Sequence, residues 1–226
     1  MHVTRLELRN WRNFKDLDVR LGQRLVVIGP NASGKSNLLD AVRFLRDLAR
    51  PGGGLQDAVA LRGGLPRVRC LFARNNNKGQ VTLGMSLGTV DETDTWTYRV
   101  SFKAEPAGRR RLLVTEEVVT HDGVEVLRRP DDDDAADPER LTQTALEQIS
   151  ENRQFRELAQ FLTEVRYLHL VPQVIRDASR AGDLTDDPFG GDFIARMNAI
   201  PERTRTAWLR RVTEALRTAV PRFESL

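Results

Sequence analysis

Eight consecutive residues carry the clearest chemistry in this chain: Gly29, Pro30, Asn31, Ala32, Ser33, Gly34, Lys35 and Ser36. Their pattern, Gly-x-x-x-x-Gly-Lys-Ser, is a full Walker A loop, which cradles phosphates. The glycines reach backbone angles closed to other residues, so successive N–H groups turn inward as an anion nest. A helix starting at Ser36 would add partial positive charge beneath the phosphates. Lys35 supplies a mobile cation for the β- and γ-phosphates, and the Ser36 hydroxyl suits Mg²⁺. The predicted ligand is a nucleoside triphosphate, ATP with Mg²⁺.

Turnover needs more: a carboxylate on the metal shell and another to orient water. Two segments offer carboxylates at a strand end, Leu112–Glu117 and Leu87–Glu92. A strand beside the phosphate loop should be continuously apolar. The first has three apolar residues before Thr115; the second alternates, contains Gly and suits a hairpin edge. A third reading is that the chain holds no such carboxylate, and the catalytic residues stay unassigned. His2, His121 and His169 are scattered without metal spacing. Arg109–Arg111 is either a solvated hairpin tip or a contact to nucleic-acid backbone. The single cysteine, Cys70, reads as a small core residue.

The elements that must position the loop follow from periodicity. Val3, Leu6 and Leu8 alternate with Arg5, Glu7 and Arg9, predicting a strand with one wet face. A polar turn around Trp11 leads to a second strand near Leu17–Leu21. Leu25–Ile28 is continuously apolar, as a strand buried on both faces should be. After the loop, Leu38, Leu39, Val42, Leu45 and Ala49 mark one helix face, ended by Pro51–Gly54. Residues 68–127 show runs of period two, Val81–Leu87 and Trp96–Phe102 among them, separated by breaks at Asn75–Asn77, Asp91–Glu92 and Gly108. They predict an antiparallel meander. Asp131–Asp134 reads as part of a solvated acidic linker over 128–138. Residues 139–226 read as helical, with a short strand at 167–175, a loop over 180–192 and Pro201 as a break.

With 226 residues, 40% hydrophobic and 30% charged, the chain reads as a soluble globular domain. No apolar run approaches the ~20 residues of a membrane span. The N-terminus has no apolar signal core, so a reduced cytoplasmic location is expected. Net charge is only +3, which does not argue by itself for nucleic acid, although 31 Arg stand against 4 Lys.

Leu6–Phe14 followed by Leu25–Val42 resembles the start of SMC/RecF-like ATPases of the ABC class. Within that class it is most similar to bacterial AAA-type ATPases with overcoming-lysogenization-defect (OLD) and RecF-like members. The strand-turn-strand with Asn13-Phe14, Pro30-Asn31 inside the loop and Asn37 after Ser36 make the match more specific than the loop alone. It covers about the first 45 residues well and weakens later, where His169–Arg176 is still similar. The resemblance implies an α/β P-loop NTPase: an ABC/SMC-like first lobe (strands, loop and helix in 1–50), an antiparallel β subdomain and following helices, with the second lobe missing. It places Arg12 and Asn13 near the adenine and Asn37 by the α-phosphate. Gln173 would be the glutamine reaching the metal, with Gln148 as a rival. The Ser-Gly signature, the strand ending Asp-Glu and the switch histidine of such ATPases come from a second lobe, and none is found here. The expected partners are the chain's own C-terminal lobe or a separate chain supplying it, a second copy on ATP binding, and DNA as a further candidate, but no membrane. ATP binding, with hydrolysis once the site is completed and coupled to repair or phage defence, is the leading expectation. The alternatives are a compact P-loop kinase or nucleotide hydrolase using Glu116 or Glu117, and a nucleotide-binding remnant without turnover.

Overall fold

Alternating apolar side chains need one shared interior, and here a single sheet supplies it. The computed structural model describes residues 1–71, 79–176 and 188–220. The Asn75–Asn77 break, most of the 180–192 loop and Pro221–Leu226 lie outside the described residues. Two units are present, Met1–Val165 and Arg166–Leu226.

The first unit is built on strands β1 (His2–Trp11), β2 (Phe14–Arg20), β3 (Val81–Gly88), β4 (Trp96–Ala104), β5 (Leu112–His121) and β6 (Val124–Arg129). They form one antiparallel sheet in the order β2-β1-β3-β4-β5-β6. The meander expected over 68–127 is present, and it is continuous with the first two strands. Leu6, Leu8, Leu83, Met85, Tyr98, Val100 and Phe102 are buried. The polar residues Glu7, Arg99, Glu116 and Arg128 form a ladder of ion pairs across strands.

Helix α1 (Lys35–Ala49) packs on the apolar core. Phe44 lies 5.1 Å from the Trp11 ring and 5.6 Å from Phe102. The buried face is Ala41, Phe44, Leu45 and Leu48, while Leu39 is exposed. Of the expected face, Leu45 is buried and Leu38, Val42 and Ala49 pack against the core, so only Leu39 departs, and the large Phe44 joins the face over the sheet. Short helices α2 (Leu55–Ala60) and α3 (Leu65–Val68) follow.

The acidic run is not simply solvated. Asp131 caps helix α4 (Asp132–Ala136) in a capping box with Asp134, and Asp134 is buried against Arg129 and Arg140. Two 3-10 turns, Pro138–Thr142 and Glu151–Phe155, lead to α5 (Arg156–Glu164), whose Leu158, Ala159 and Leu162 are buried.

The largest departure concerns Leu25–Ile28. This segment is not a strand, and Leu25, Val26 and Ile28 are 51%, 83% and 86% exposed. Among the described residues no strand pairs with it, so its continuous apolar character has nothing to bury it.

In the second unit, the expected strand over 167–175 is replaced by an extended stretch and helix α6 (Pro172–Ile175). His169 N–H and Val171 N–H donate to the carbonyls of Pro188 and Phe189, and Pro172, lacking an N–H, starts the helical turn. Helices α7 (Phe193–Ala199) and α8 (Glu202–Ala219) are split at Pro201, as expected. No helix among the described residues is long and apolar enough to cross a membrane.

Candidate functional site

The phosphate loop leads directly into α1. Ala32 (φ 63°) and Gly34 (φ 101°) take left-handed backbone angles, the geometry that turns N–H groups toward one point. The space at Gly34 is taken up by the Asn13 amide, which a side chain there would displace. A β-carbon there would sit 2.3 Å from Asn13 Nδ2. Lys35 Nζ donates to the carbonyls of Gly29 (2.8 Å) and Pro30 (2.7 Å), so its ammonium lies against the loop it would serve. Pro30, Asn31 and Ser36 are exposed.

The turn between β1 and β2 closes on this loop. Asn10 (φ 55°) and Arg12 (φ 52°) both adopt left-handed angles, which make the turn tight. Asn10 is held on both sides: its Nδ2 donates to Gln80 O, and its Oδ1 accepts from Cys70 N–H. Cys70 is buried, in keeping with a core role. Trp11 is fully buried and its Nε1 donates to Asn37 O at 2.9 Å. Asn13 Oδ1 accepts from Asn37 Nδ2 at 2.8 Å, and Asn13 Nδ2 donates to Ser33 O at 3.4 Å. The turn, the loop and the first turn of α1 are thus one hydrogen-bonded assembly, bringing together Asn13, Ser33, Lys35 and Asn37.

Arg12 stands apart from that contact set. Its Nη2 pairs with Asp40 at 2.8 Å, and its Nη1 donates to Arg67 O. Arg62, almost fully buried, binds the same Asp40 carboxylate through Nε at 3.0 and 3.2 Å, pairs with Asp47 at 2.9 Å and lies over the Phe44 ring. Asp40 and Arg62 drew no notice in the sequence; a lone Asp on a helix and a lone Arg in a turn carry no spacing signal.

The candidate carboxylates are engaged elsewhere. Glu117 is fully buried and accepts from Tyr98 Oη, Arg129 Nη1 and the N–H groups of Ala145 and Leu146. Burial pushes its carboxyl up from the usual range, against the pull of those donors. Glu116 faces the opposite side with Arg99 and Arg128. β5 is separated from β1 by β3 and β4, so neither acid contacts the loop. Asp91 and Glu92 lie in the exposed β3–β4 turn. Gln148 makes backbone bonds in its own turn and none to the loop. Gln173 lies on α6 of the second unit. At the β4–β5 tip, Arg111 pairs with Glu105 and Glu139, while Arg109 and Arg110 are exposed.

A family profile described as "AAA domain, putative AbiEii toxin, Type IV TA system" matches residues 24–225. The chain is also similar to three proteins named DNA replication and repair protein RecF. It is 36% identical to that of Allorhizobium ampelinum over 104 residues, covering 44% of this chain and 27% of the relative. The figures for Nitrosococcus oceani are 26% over 117 residues, 51% of this chain and 30% of the relative. For Trichodesmium erythraeum they are 29% over 121 residues, 53% and 26%. The matched part therefore spans less than a third of the length of each of these relatives.

Proposed function

Because the chain belongs to this AAA-domain family and is an SMC/RecF-like P-loop ATPase domain, we propose that it binds ATP with Mg²⁺ in the cradle of Gly29–Asn37 and Asn13. The observation that carries this reading is the locking of the β1–β2 turn onto the loop through Asn13 and Asn37, with the Lys35 ammonium already at the loop carbonyls. The donors fit the ligand. The loop's backbone N–H groups and a mobile ammonium suit phosphate oxygens, and the exposed Ser36 hydroxyl would help hold a magnesium ion. When bound, that ion neutralises phosphate charge.

Hydrolysis, on this reading, requires a second lobe, in the same protein or a separate chain, and a second copy closing over the γ-phosphate. Two observations support it. Glu116 and Glu117 are committed to ion pairs away from the loop. The exposed Leu25, Val26 and Ile28 offer an apolar segment that a neighbouring strand would cover. The same observations disfavour a compact, self-sufficient kinase. A role in DNA transactions, in repair or in phage defence, draws its support from the RecF relatives.

Titration of a fluorescent ATP analogue against wild type and Lys35→Ala tests the binding reading. Loss of the cation is expected to cost about 2–5 kcal/mol, because phosphate charge is left unpaired in the nest. Equal affinities would refute it.

A further inference from the structure

The Arg12–Asp40–Arg62 cluster has no role in phosphate binding as described above, yet it joins the β1–β2 turn to α1. Resting on the nucleotide-binding reading, we propose that Asp40 and Arg12 are positioning residues: their ion pair holds Asn13 in place on the phosphate loop, and Arg12 does not touch the nucleotide. Four observations carry this. Arg12 is pinned from three sides, by Asp40 at 2.8 Å, by Arg67 O at 3.1 Å and by its backbone N–H on Val68 O at 2.6 Å. Its guanidinium thus points toward the middle of α1 and the α3 turn, whereas the neighbouring Asn13 points to Ser33 and Asn37. Its backbone takes a left-handed angle that a non-glycine residue adopts only when its surroundings hold it there. Finally, Asp40 is already held by both Nε–H···O contacts from Arg62, which is itself anchored to Asp47 and to Ala58 O. The carboxylate is therefore a fixed post, set on the same helix whose first turn carries Lys35 and Ser36.

The arrangement makes a distinctive prediction about coupling. If Arg12 and Asp40 act only through each other, removing either loosens the turn to the same extent, and removing both does no further harm. ATP affinity is measured for wild type, Arg12→Ala, Asp40→Asn and the double variant, with Lys35→Ala beside them to show that the loop is the site. Each single variant is expected to bind about tenfold more weakly, and the double variant like either single one. Arg12→Lys, which keeps a charge within reach of Asp40, should recover part of the loss. ADP and ATP should lose affinity alike, since no γ-phosphate contact is involved. Arg12→Ala is the safer variant for folding, because Asp40 keeps Arg62; circular dichroism on each variant checks this. Losses that multiply in the double variant, or a loss on Arg12→Ala much larger for ATP than for ADP, would overturn the proposal and make Arg12 a direct nucleotide contact. So would unchanged affinity in both folded single variants. Unchanged affinity in Lys35→Ala would instead refute the nucleotide site itself.

Discussion

Thr115 is the extra residue of a bulge in β5: Ser101 pairs with Glu116, but Phe102 pairs with Val114. The slip sends Glu117, not Glu116, into the interior, where it meets Arg129 and Tyr98. Removing the Glu117 carboxylate breaks its buried pair with Arg129, which keeps Asp134, and strips Tyr98 Oη and the N–H groups of Ala145 and Leu146 of their acceptor. Glu117→Ala is therefore expected to cost about 3–5 kcal/mol of stability. Glu116→Ala, on the half-exposed ladder, should cost less than about 1 kcal/mol. Denaturant midpoints of the two variants decide it, and equal losses would show that the bulge does not set the burial. Glu147 gives a pH signature. Burial pushes its carboxyl up to about 7, although Leu55 and Thr144 N–H groups pull the other way. The folded state then holds its proton more tightly than the unfolded chain, whose carboxyl titrates near 4.5. This contribution favours folding below about pH 4.5 and is lost as pH rises through about 7. Thermal midpoints of wild type should fall across that window more steeply than those of Glu147→Gln, and parallel curves would contradict the assignment. Asn13→Ala should weaken ATP binding by about 1 kcal/mol through lost hydrogen bonds, with little effect on stability because the side chain is exposed. An unchanged binding isotherm would remove Asn13 from the site.

At the scale of elements, Leu25–Ile28 is the point where pattern and surroundings part. A continuous apolar run signals a strand buried on both faces, but burial needs neighbours, and none of the described residues supplies them. Val26→Asp and Ile28→Asp should accordingly shift the stability of this chain by no more than about 0.5 kcal/mol, as surface changes do. If they unfold it, the segment is packed after all. The same changes should abolish binding of a second-lobe polypeptide. Elements whose partners lie close in sequence were legible: β1 and β2, the meander from Val81, the loop with its helix, and the Pro201 break all follow from local periodicity or chain chemistry. The central place of Phe44 on α1 was not, because it depends on where Phe44 meets Trp11 and Phe102. Nor was the fate of Asp134, whose burial depends on Arg129 and Arg140. The bulge at Thr115 left no mark in the residue types. In the site, the spacing of Gly29, Gly34, Lys35 and Ser36 marked the loop, whereas the bonds of Asn13 to Ser33 and Asn37 depend on where the β1–β2 turn meets α1. The resemblance placed Arg12 with Asn13 near the adenine; the Arg12–Asp40 pair had no signal in the sequence.

For the molecule as a whole, the proposed reading is a phosphate cradle whose turnover depends on groups from a second lobe. Electrostatic stabilisation of the transferring phosphoryl group supplies most of the catalysis in such enzymes, and removing one such group typically costs on the order of 10²–10³ in rate. On the proposed reading the loop, Asn13 and Ser36 would hold the substrate, whereas Glu116 and Glu117 are engaged in ion pairs elsewhere in the sheet. The most direct test is phosphate release by the purified 226-residue chain with Mg²⁺, at an ATP concentration that the binding titration shows to be saturating. The account predicts release at or near background, rising when a second-lobe polypeptide is added. Robust turnover by this chain alone, abolished in Lys35→Ala, would contradict it and make the domain a self-sufficient enzyme.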